Sequence, residues 1–450
     1  MRDMSRLGME FVQQVQKVTM GLFGGGVPHS LSEMERQARE AVMTMGRFLL
    51  GAWLQGLDEA YPESEISCRC GGKAHYQCRR GGELLTVLGT VHYERAYYLC
   101  AACHQGTYPL DEQLGLRPGE ISAELESLLG MTGALMTFAK GQEFFTRLTL
   151  VTSSAQSLDK ATQSMGAEVT KREAEWRQAS EDGLALTRQE RAPKDERRLY
   201  GTLDATKVHT REHTDAEDDG WRDLKVGAWF ESDAPPPEQP QKDWDVQARN
   251  LTYFCDFGEA KEFGKLLWAT GIERKALQAR ELIFLGDGAE WIWNLVREHF
   301  PWAVQIVDWF HAAERLGVVA QAAFPEENAR KAWLQDTRQL LWEGQVSAVV
   351  QACQTLAAQG PGAEEARKAA AYFSNHAARM DYATFRRKGY QIGSGTVESA
   401  CKQLGILRMK VPGATWNLEG ARLTSKARAA YLSDQWDDLA ARRVYLPRVA

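Results

Sequence analysis

The spacing of apolar residues divides the first half of the chain into helical and β segments. Residues 30–58 carry apolar side chains at helical spacing, and Ser32 is placed to cap the start of that helix. Residues 84–100 are β-branched and aromatic around a central glycine, which predicts a hairpin. Helical periodicity returns from about Ser122 to Glu190.

The second half of the chain has the pattern of an α/β domain. Residues 199–209 predict a strand, a turn and a strand, and residues 224–232 and 248–257 predict further strands of an antiparallel meander. Helix and strand signals then alternate from residue 260 to residue 310. The pattern is almost purely helical from Ala312 to about Arg387.

This order of elements predicts both the fold class and the domain boundaries. Three antiparallel strands followed by two strands that alternate with helices is the order of a ribonuclease-H-like domain, here with a helical insertion at about 312–390. We therefore predict an α/β protein with a ribonuclease-H-like catalytic core, preceded by helical and zinc-ribbon-like modules. A breaker at Pro193, within a charged stretch, separates them, and a proline-rich loop covers 234–240. The predicted domains are 1–62 (helical), 63–112 (zinc-ribbon-like), 113–195 (helical) and 196–450 (core).

The helical region 113–195 contains two helical pieces separated by small polar residues. That pattern is compatible with a helix-turn-helix that reads DNA. Plain helical linkers share it, so both interpretations stay open.

Composition limits the class of protein without identifying it. A hydrophobic content of 44% is enough for packed cores, and a net charge of −6 gives no overall attraction to nucleic acid. Any DNA contact must therefore come from local basic patches. The first residues lack the apolar core of a signal peptide, and no apolar run approaches the roughly 18 residues of a membrane span. We expect a cytoplasmic protein.

Three carboxylates follow or lie within segments that could meet at one sheet edge. Asp204 lies in the first predicted strand of the core, Asp287 follows the fourth, and Glu398 lies at a helix start after a glycine-rich turn. Carboxylates are the ligands that Mg²⁺ prefers, and two such ions about 3.5–4 Å apart can activate the attacking and leaving oxygens of a phosphodiester. Taken singly, each acid also fits an ordinary structural role. Asp204 fits a turn, Asp287 fits a turn or a helix cap, and Glu398 fits an ion pair with Lys402 one helical turn later.

A second polar pair competes with Asp287 for a place in this site. Asp308 ends the fifth predicted strand of the core, and His311 lies about one helical turn further on. The pair could support the active-site edge by hydrogen bonds or place a polar group near the scissile phosphate. A helix cap beside a satisfied histidine fits the same residues.

The cysteines of the β module suggest a metal site. Cys68 and Cys70 precede the hairpin, and Cys100 and Cys103 follow it. Four thiolates around a hairpin can close a tetrahedral Zn²⁺ site with a structural role. Because the first spacing is one residue shorter than usual, three further candidate ligands stay open: His75, Cys78 and His104.

A basic segment near the end of the chain supplies the local positive charge that DNA contact requires. Phosphate contacts there would position DNA without reading its sequence. Trp416 could stack on an extruded base or belong to the core. The candidate contacts are Arg386, Arg387, Lys388, Lys402, Arg408 and Lys410, and Arg422, Lys426 and Arg428 continue the segment.

Three blocks of this sequence resemble a known family. The cysteine module, the block "LGDGAEWIWNL" with "IVDWFHAAERL", and the block "YQIGSGTVESACKQLGILRMKVPGATW" look like those of ISKra-type insertion-sequence transposases, bacterial relatives of the Mutator superfamily. The resemblance runs from about residue 65 to the C-terminus. It implies a DDE transposase that cleaves insertion-sequence ends and transfers the strands into target DNA, with Mg²⁺ or Mn²⁺ as cofactor and structural Zn²⁺.

The resemblance also implies roles for individual residues and for partners. Asp204, Asp287 and Glu398 would form the catalytic triad. Asp308 and His311 match a motif that follows the second catalytic Asp in the wider superfamily, which favours Asp287 over Asp308 as metal ligand. Ala205 stands where the family pattern leads us to expect Gly. The implied partners are double-stranded DNA, as terminal inverted repeats and target, and further copies of the chain in a homodimer or larger synaptic complex on the nucleoid.

Two other functions fit the same features. A ribonuclease-H-like nuclease or resolvase would share the metal chemistry without strand transfer. A transposase-derived DNA-binding protein would keep the cysteine module and the basic segment with a broken acid site.

Overall fold

Over the residues that the structure describes, the fold is mixed α/β with two sheets, and the chain divides into two compact units. The computed structural model describes residues 4–24, 30–117, 119–182, 195–213, 218–232, 248–358, 360–393 and 395–445. Residues 1–165 and 437–450 form the first unit, and residues 166–436 form the second. The four-part domain division stays a prediction. Pro193 and the proline-rich loop 234–240 lie outside the described residues.

Two long helices begin the first unit: α1 (Met4–Phe23) and α2 (Leu31–Asp58). The predicted helix at 30–58 is confirmed, but its cap is Ser30 rather than Ser32. The Ser30 side chain accepts a hydrogen bond from the Glu33 N–H at 3.2 Å, whereas Ser32 already lies in the first turn. Helix α1 lies within the region 1–62 that the sequence predicts as helical, although no individual helix is assigned to it there; its apolar residues are interspersed with Gln and Lys.

The first sheet contains β1 (Glu65–Ser67), β2 (Lys73–Thr86), β3 (Gly89–Cys100) and β4 (Gly106–Thr107), antiparallel in that order. The predicted hairpin is confirmed as β2 and β3. Thr86 pairs with Gly89 across a two-residue turn, and Gly89 has a φ of 102°, which favours glycine. Leu54 of α2 packs against this hairpin with Leu84 and Val91.

Helices follow the first sheet, as predicted: α3 (Pro109–Leu114), α4 (Ala123–Leu135), α5 (Phe138–Thr149) and α6 (Ala155–Asp182). Five residues separate α5 from α6, which agrees with the two helical pieces expected there. Leu125, Leu129, Phe145 and Leu158 form their shared core. A DNA-reading role for these helices stays a prediction.

The second sheet contains β5 (Arg198–His209), β6 (Trp221–Ser232), β7 (Ala248–Phe257), β8 (Glu281–Gly286) and β9 (Val304–Val307) in the order β7-β6-β5-β8-β9. The predicted meander is confirmed by antiparallel β5, β6 and β7, and β8 and β9 run parallel to β5.

The turn predicted within residues 199–209 is wrong. Strand β5 continues through Asp204 and pairs with β6 at each residue from Leu199 to His209. Gly201 within this strand allows close packing. A Cβ at that position would lie 2.5 Å from the Phe284 ring.

Helices surround this sheet and continue after it. Helices α7 (Ala260–Glu273) and α8 (Glu290–His299) alternate with the strands as predicted. The predicted helical stretch is confirmed as α9 (Trp309–Ala323), α10 (Glu327–Trp342), α11 (Val346–Ala357), α12 (Ala363–His376) and α13 (Tyr382–Arg387). Next come α14 (Gly395–Cys401), a π-helical segment (Lys402–Met409), α15 (Leu418–Leu432) and α16 (Trp436–Tyr445).

One apolar core joins the second sheet to the helical stretch. Trp229 packs edge-on against Phe284 and Phe300, and its indole N–H donates to the Thr270 hydroxyl at 2.9 Å. The same core continues through Trp309 of α9 to Phe373 of α12. The helical stretch is therefore packed onto the second sheet. Among the described helices, none is long and apolar enough to cross a membrane.

Candidate active site and metal centres

The strand register places three aspartates at one level of the second sheet. Thr202 of β5 pairs with Leu285 of β8. Because the two strands are parallel, the residues two positions later, Asp204 and Asp287, lie at the same level. Gly286 of β8 pairs with Val307 of β9, so one further residue leads to Asp287 and Asp308. The Asp308 N–H donates to the Gly286 carbonyl at 2.7 Å and extends this pairing. Three carboxylates thus lie at equivalent positions on adjacent strands.

Asp204 is partly buried in the middle of β5. Its Oδ1 accepts from the Ala205 N–H at 2.7 Å. Burial raises the pKa of the Asp204 carboxyl, and repulsion from Asp287 adds to the rise, while hydrogen bonds from Ala205 and the Cys401 thiol oppose it. Cys401 ends α14, three residues after Glu398, so this contact brings that helix to the first acid.

A turn that follows β8 holds Asp287. Its Oδ1 accepts from the Ala289 N–H at 2.8 Å, and Gly288 between them has a φ of 100°. The Tyr372 hydroxyl, from α12, donates to the Asp287 carbonyl at 2.9 Å. Arg315 stacks over the Tyr372 ring at 4.2 Å. The helical stretch thereby fixes the backbone that carries the second acid.

Asp308, His311 and Glu398 form the tightest polar group of this site. Asp308 is fully buried and caps α9, accepting from the His311 N–H at 2.7 Å. The His311 Nε2 lies 3.3 Å from the Glu398 Oε1. One ligand atom from each of the three residues lies within 4.8 Å of the others, so the group could hold a metal ion. Over the described parts of the chain, neither Asp204 nor Asp287 belongs to a group that close.

Glu398 is electrostatically linked to the aspartates. Loss of solvent raises the pKa of the Glu398 carboxyl, repulsion from Asp308 and Asp204 adds to the rise, and His311 opposes it. The side chain stays half exposed, with 51% of its surface open to solvent. Mutual repulsion among carboxylates at one sheet edge is what a bound divalent cation would relieve.

This repulsion leads to a prediction about Asp204→Asn in the metal-free protein. The raised pKa means that ionising Asp204 disfavours the folded state, and the penalty is present at neutral pH and absent at acid pH, where the carboxyl is protonated in both states. Asn keeps the acceptor for the Ala205 N–H. We expect the midpoint of thermal unfolding at pH 7 to rise by about 1–2 °C, the shift for about 1 kcal/mol in a chain of this size. Calorimetry at pH 7 and pH 3 checks it; a lower midpoint at pH 7 would contradict the assignment.

Four cysteines form a second group that could hold a metal. The Sγ atoms of Cys68 and Cys103 lie 3.7 Å apart, and those of Cys70 and Cys100 lie 3.6 Å apart. All four lie within 4.8 Å of one another. Thiolates around tetrahedral Zn²⁺ at about 2.3 Å would be about 3.8 Å apart, so the donor set and the spacing fit that ion. His75, Cys78 and His104, the other candidates, are outside this group of described residues.

Local backbone geometry explains how Cys68 and Cys70, only two positions apart, can both belong to the four-cysteine group. The Gly71 N–H donates to the Cys68 carbonyl at 3.0 Å, and Gly71 has a φ of 84°. The turn between β1 and β2 therefore brings both sulfurs toward Cys100 at the end of β3. Hydrogen bonds from the Cys103 and Ala102 N–H groups lower the pKa of the Cys100 thiol to about 6, which favours the thiolate.

Two of the predicted DNA contacts are buried, which corrects the sequence prediction. Only 2% of Arg408 and 9% of Trp416 is exposed. The Trp416 indole N–H donates to the Met409 carbonyl at 3.0 Å, and the Arg408 guanidinium lies 5.0 Å from the Trp416 ring. Both side chains therefore belong to the packing of the π-helical segment and are not available to stack on or pair with DNA.

Other cations of the basic segment also serve the fold. Lys426 is buried between Glu173 and Asp256, with the Asp256 carboxylate at 3.0 Å. Arg428 is likewise buried. Arg386 is half-buried against the Trp342 ring at 3.8 Å. Four candidate contacts stay exposed: Arg387, Lys388, Lys402 and Lys410.

One exposed aromatic residue beside the acids was not predicted. Phe310 lies between Asp308 and His311 in sequence, and 51% of its surface is exposed. The Phe310 ring packs edge-on against the Trp309 ring, and a Cβ at Gly393 would lie 3.0 Å from the Phe310 ring. A single exposed apolar side chain is ordinary on a protein surface, so the exposure shows only that the Phe310 ring is accessible beside the acids. The helical periodicity of "DWFHAAERL" could have marked this position as outward-facing.

Comparison with known proteins adds little to this geometry. No protein-family model matches the chain, and no curated protein does. The solved Drosophila P element transposase strand transfer complex is similar over 74% of this chain and 84% of that one, at 9% identity with a TM-score of 0.23. A TM-score this low carries no argument about fold or function.

Proposed function

We propose that this protein is a DDE-type DNA transposase with a ribonuclease-H-like core interrupted by the helices α9 to α13. The observation that carries the proposal is the shared register of Asp204, Asp287 and Asp308 on adjacent strands, with Glu398 held beside them through His311. The sheet order β7-β6-β5-β8-β9 supports the same core. The sequence blocks that resemble ISKra-type transposases contain three of these four acids: Asp287, Asp308 and Glu398.

In this proposal the acids divide into ligands and a positioning pair. Asp204, Asp287 and Glu398 would hold the divalent ions, and Mg²⁺ there would activate the attacking oxygen and offset the charge of the leaving oxygen. Asp308 uses one carboxylate oxygen to cap α9, which places His311 against Glu398. His311 can hold the Glu398 carboxylate in place by a hydrogen bond to Oε1.

The exposed cations and Phe310 would contact DNA next to the acids. Lys402 and Lys410 flank the π-helical segment that directly follows the helix of Glu398, and Arg387 and Lys388 end the helical stretch. Their charges would contact phosphates. Phe310, rather than the buried Trp416, is available to stack on a base near the scissile phosphate. The Cys68, Cys70, Cys100 and Cys103 group would hold structural Zn²⁺.

The experiment that tests this function uses the DNA on either side of the gene. Purified protein with Mg²⁺ is incubated with labelled duplexes from both flanks and a target plasmid, and the products are sequenced. A transposase releases 3′-hydroxyl ends at one site in each flank and joins them to the plasmid. Cleavage without joining would instead favour a nuclease or resolvase, and binding without cleavage would favour a DNA-binding protein.

A further inference from the structure

An exposed apolar stripe runs along the whole length of α2. Its members recur with steps of three and four residues, which places them on one face of a helix at 3.6 residues per turn. The side chains of Leu31, Val42 and Trp53 are each 70% exposed, and those of Met34 and Leu49 are 53% and 52% exposed. The full stripe is Leu31, Met34, Ala38, Val42, Met45, Leu49 and Trp53.

The stripe is distinct from the faces by which α2 packs within its own unit. One face, with Leu50, Leu54 and Leu57, packs on the β2–β3 hairpin. A second face meets α1, where the rings of Phe48 and Phe11 are 6.4 Å apart. A helix with one packed face ordinarily presents charged residues on the rest of its surface. A third face that is apolar and exposed to solvent therefore indicates an interface with another molecule.

Helix α1 adds apolar surface of the same kind. Met9, Val12, Met20 and Phe23 recur at helical spacing on one face and are 61%, 52%, 73% and 82% exposed. Monomeric proteins rarely expose a contiguous apolar patch of more than about 300–600 Å². The five larger side chains of the α2 stripe alone expose on the order of 600 Å².

We infer that the α2 stripe is a self-association surface, on which a second copy of the chain packs its own α2 stripe. All seven stripe positions are apolar, so the face offers no charge to attract nucleic acid or a charged protein. Pairing two such stripes about a two-fold axis buries roughly 1,200 Å², the lower limit for a specific stable interface. The inference stands on unit 1 alone and does not depend on the proposed chemistry.

Analytical ultracentrifugation of the full chain tests this surface. We expect wild type to be dimeric, and Val42→Glu or Leu49→Glu to weaken association at least ~100-fold, because each buries a carboxylate in an apolar interface. The matched control is Arg36→Glu, which adds the same side chain at an exposed position of α2 outside the stripe. The far-UV circular dichroism spectra should match that of wild type, since Val42 and Leu49 are exposed within the protomer.

Two results would overturn this inference. One is a wild-type chain that stays monomeric up to ~100 µM, well above the Kd of specific dimers; co-sedimentation of that monomer with lipid vesicles would assign the stripe to a membrane surface instead. The other is a dimer that both Glu variants leave intact while they remain folded.

Discussion

Replacing Asp287 with Asn will abolish Mg²⁺-dependent cleavage, whereas replacing Asp308 with Asn will leave measurable activity. We expect the first change to reduce the rate by at least about 10⁴-fold, which corresponds to about 5.5 kcal/mol, because the amide is a poor ligand for Mg²⁺ and does not offset its charge. Asn is nearly as good an N-cap as Asp, so α9 and the position of His311 should persist in Asp308→Asn. We expect that variant to lose about tenfold.

The contrast between the two variants is measured with matched controls. Single-turnover cleavage of a labelled end gives the rate, and gel-shift titration in Ca²⁺ gives the affinity for the end. Both variants should bind DNA as wild type does. The opposite pattern, with Asp287→Asn active and Asp308→Asn inactive, would make Asp308 the metal ligand, as its closeness to His311 and Glu398 permits.

Loss of the four-cysteine site will unfold the end of the first sheet that carries the cysteines. The core around these cysteines is small, consisting of Ala74, Ala96, Tyr98 and Cys100. Structural zinc sites contribute on the order of 10 kcal/mol to folding, which a core of this size cannot replace. We expect Cys100→Ser to lower zinc content from one ion per chain to none and to remove amide-exchange protection around Ala74, Ala96 and Tyr98, the core next to the cysteines.

Cys78→Ser is the matched control for the zinc prediction. Cys78 lies in β2 of the same sheet, but it is exposed and lies outside the four-sulfur group. It should keep one zinc ion and full protection. Stoichiometric zinc in Cys100→Ser, or its loss in Cys78→Ser, would mean that the ligand set is wrong.

Much of the architecture could be predicted because the buried face of a helix or strand determines the spacing of apolar residues along the sequence. The β2–β3 hairpin, the meander and the alternating helices each have an apolar pattern that only one element type satisfies. Strand β5 is the exception. Gly201 and Asp204 are turn-forming residues, and nothing local reveals that Gly201 makes room for the Phe284 ring in the middle of the sheet.

The site was less predictable because its contacts join distant residues. The sequence places Asp204, Asp287 and Glu398 near strand ends and a helix start, but the register that aligns the aspartates appears only in the folded sheet. Lys426 is counted with the basic segment in the sequence because its partners, Glu173 and Asp256, lie far away along the chain and no local pattern reveals them. The role of Trp416 stays open in the sequence for the same reason, since no local pattern shows that the Met409 carbonyl accepts its N–H.

The central claim is that Asp204, Asp287 and Glu398 bind the catalytic metal ions. Anomalous scattering from crystals grown with Mn²⁺ and an element end tests it most directly. We predict an anomalous peak ligated by Asp204 and Asp287, with Glu398 completing the site and Asp308 still capping α9. A peak held by Asp308, His311 and Glu398 alone, with Asp204 unliganded, would contradict the claim.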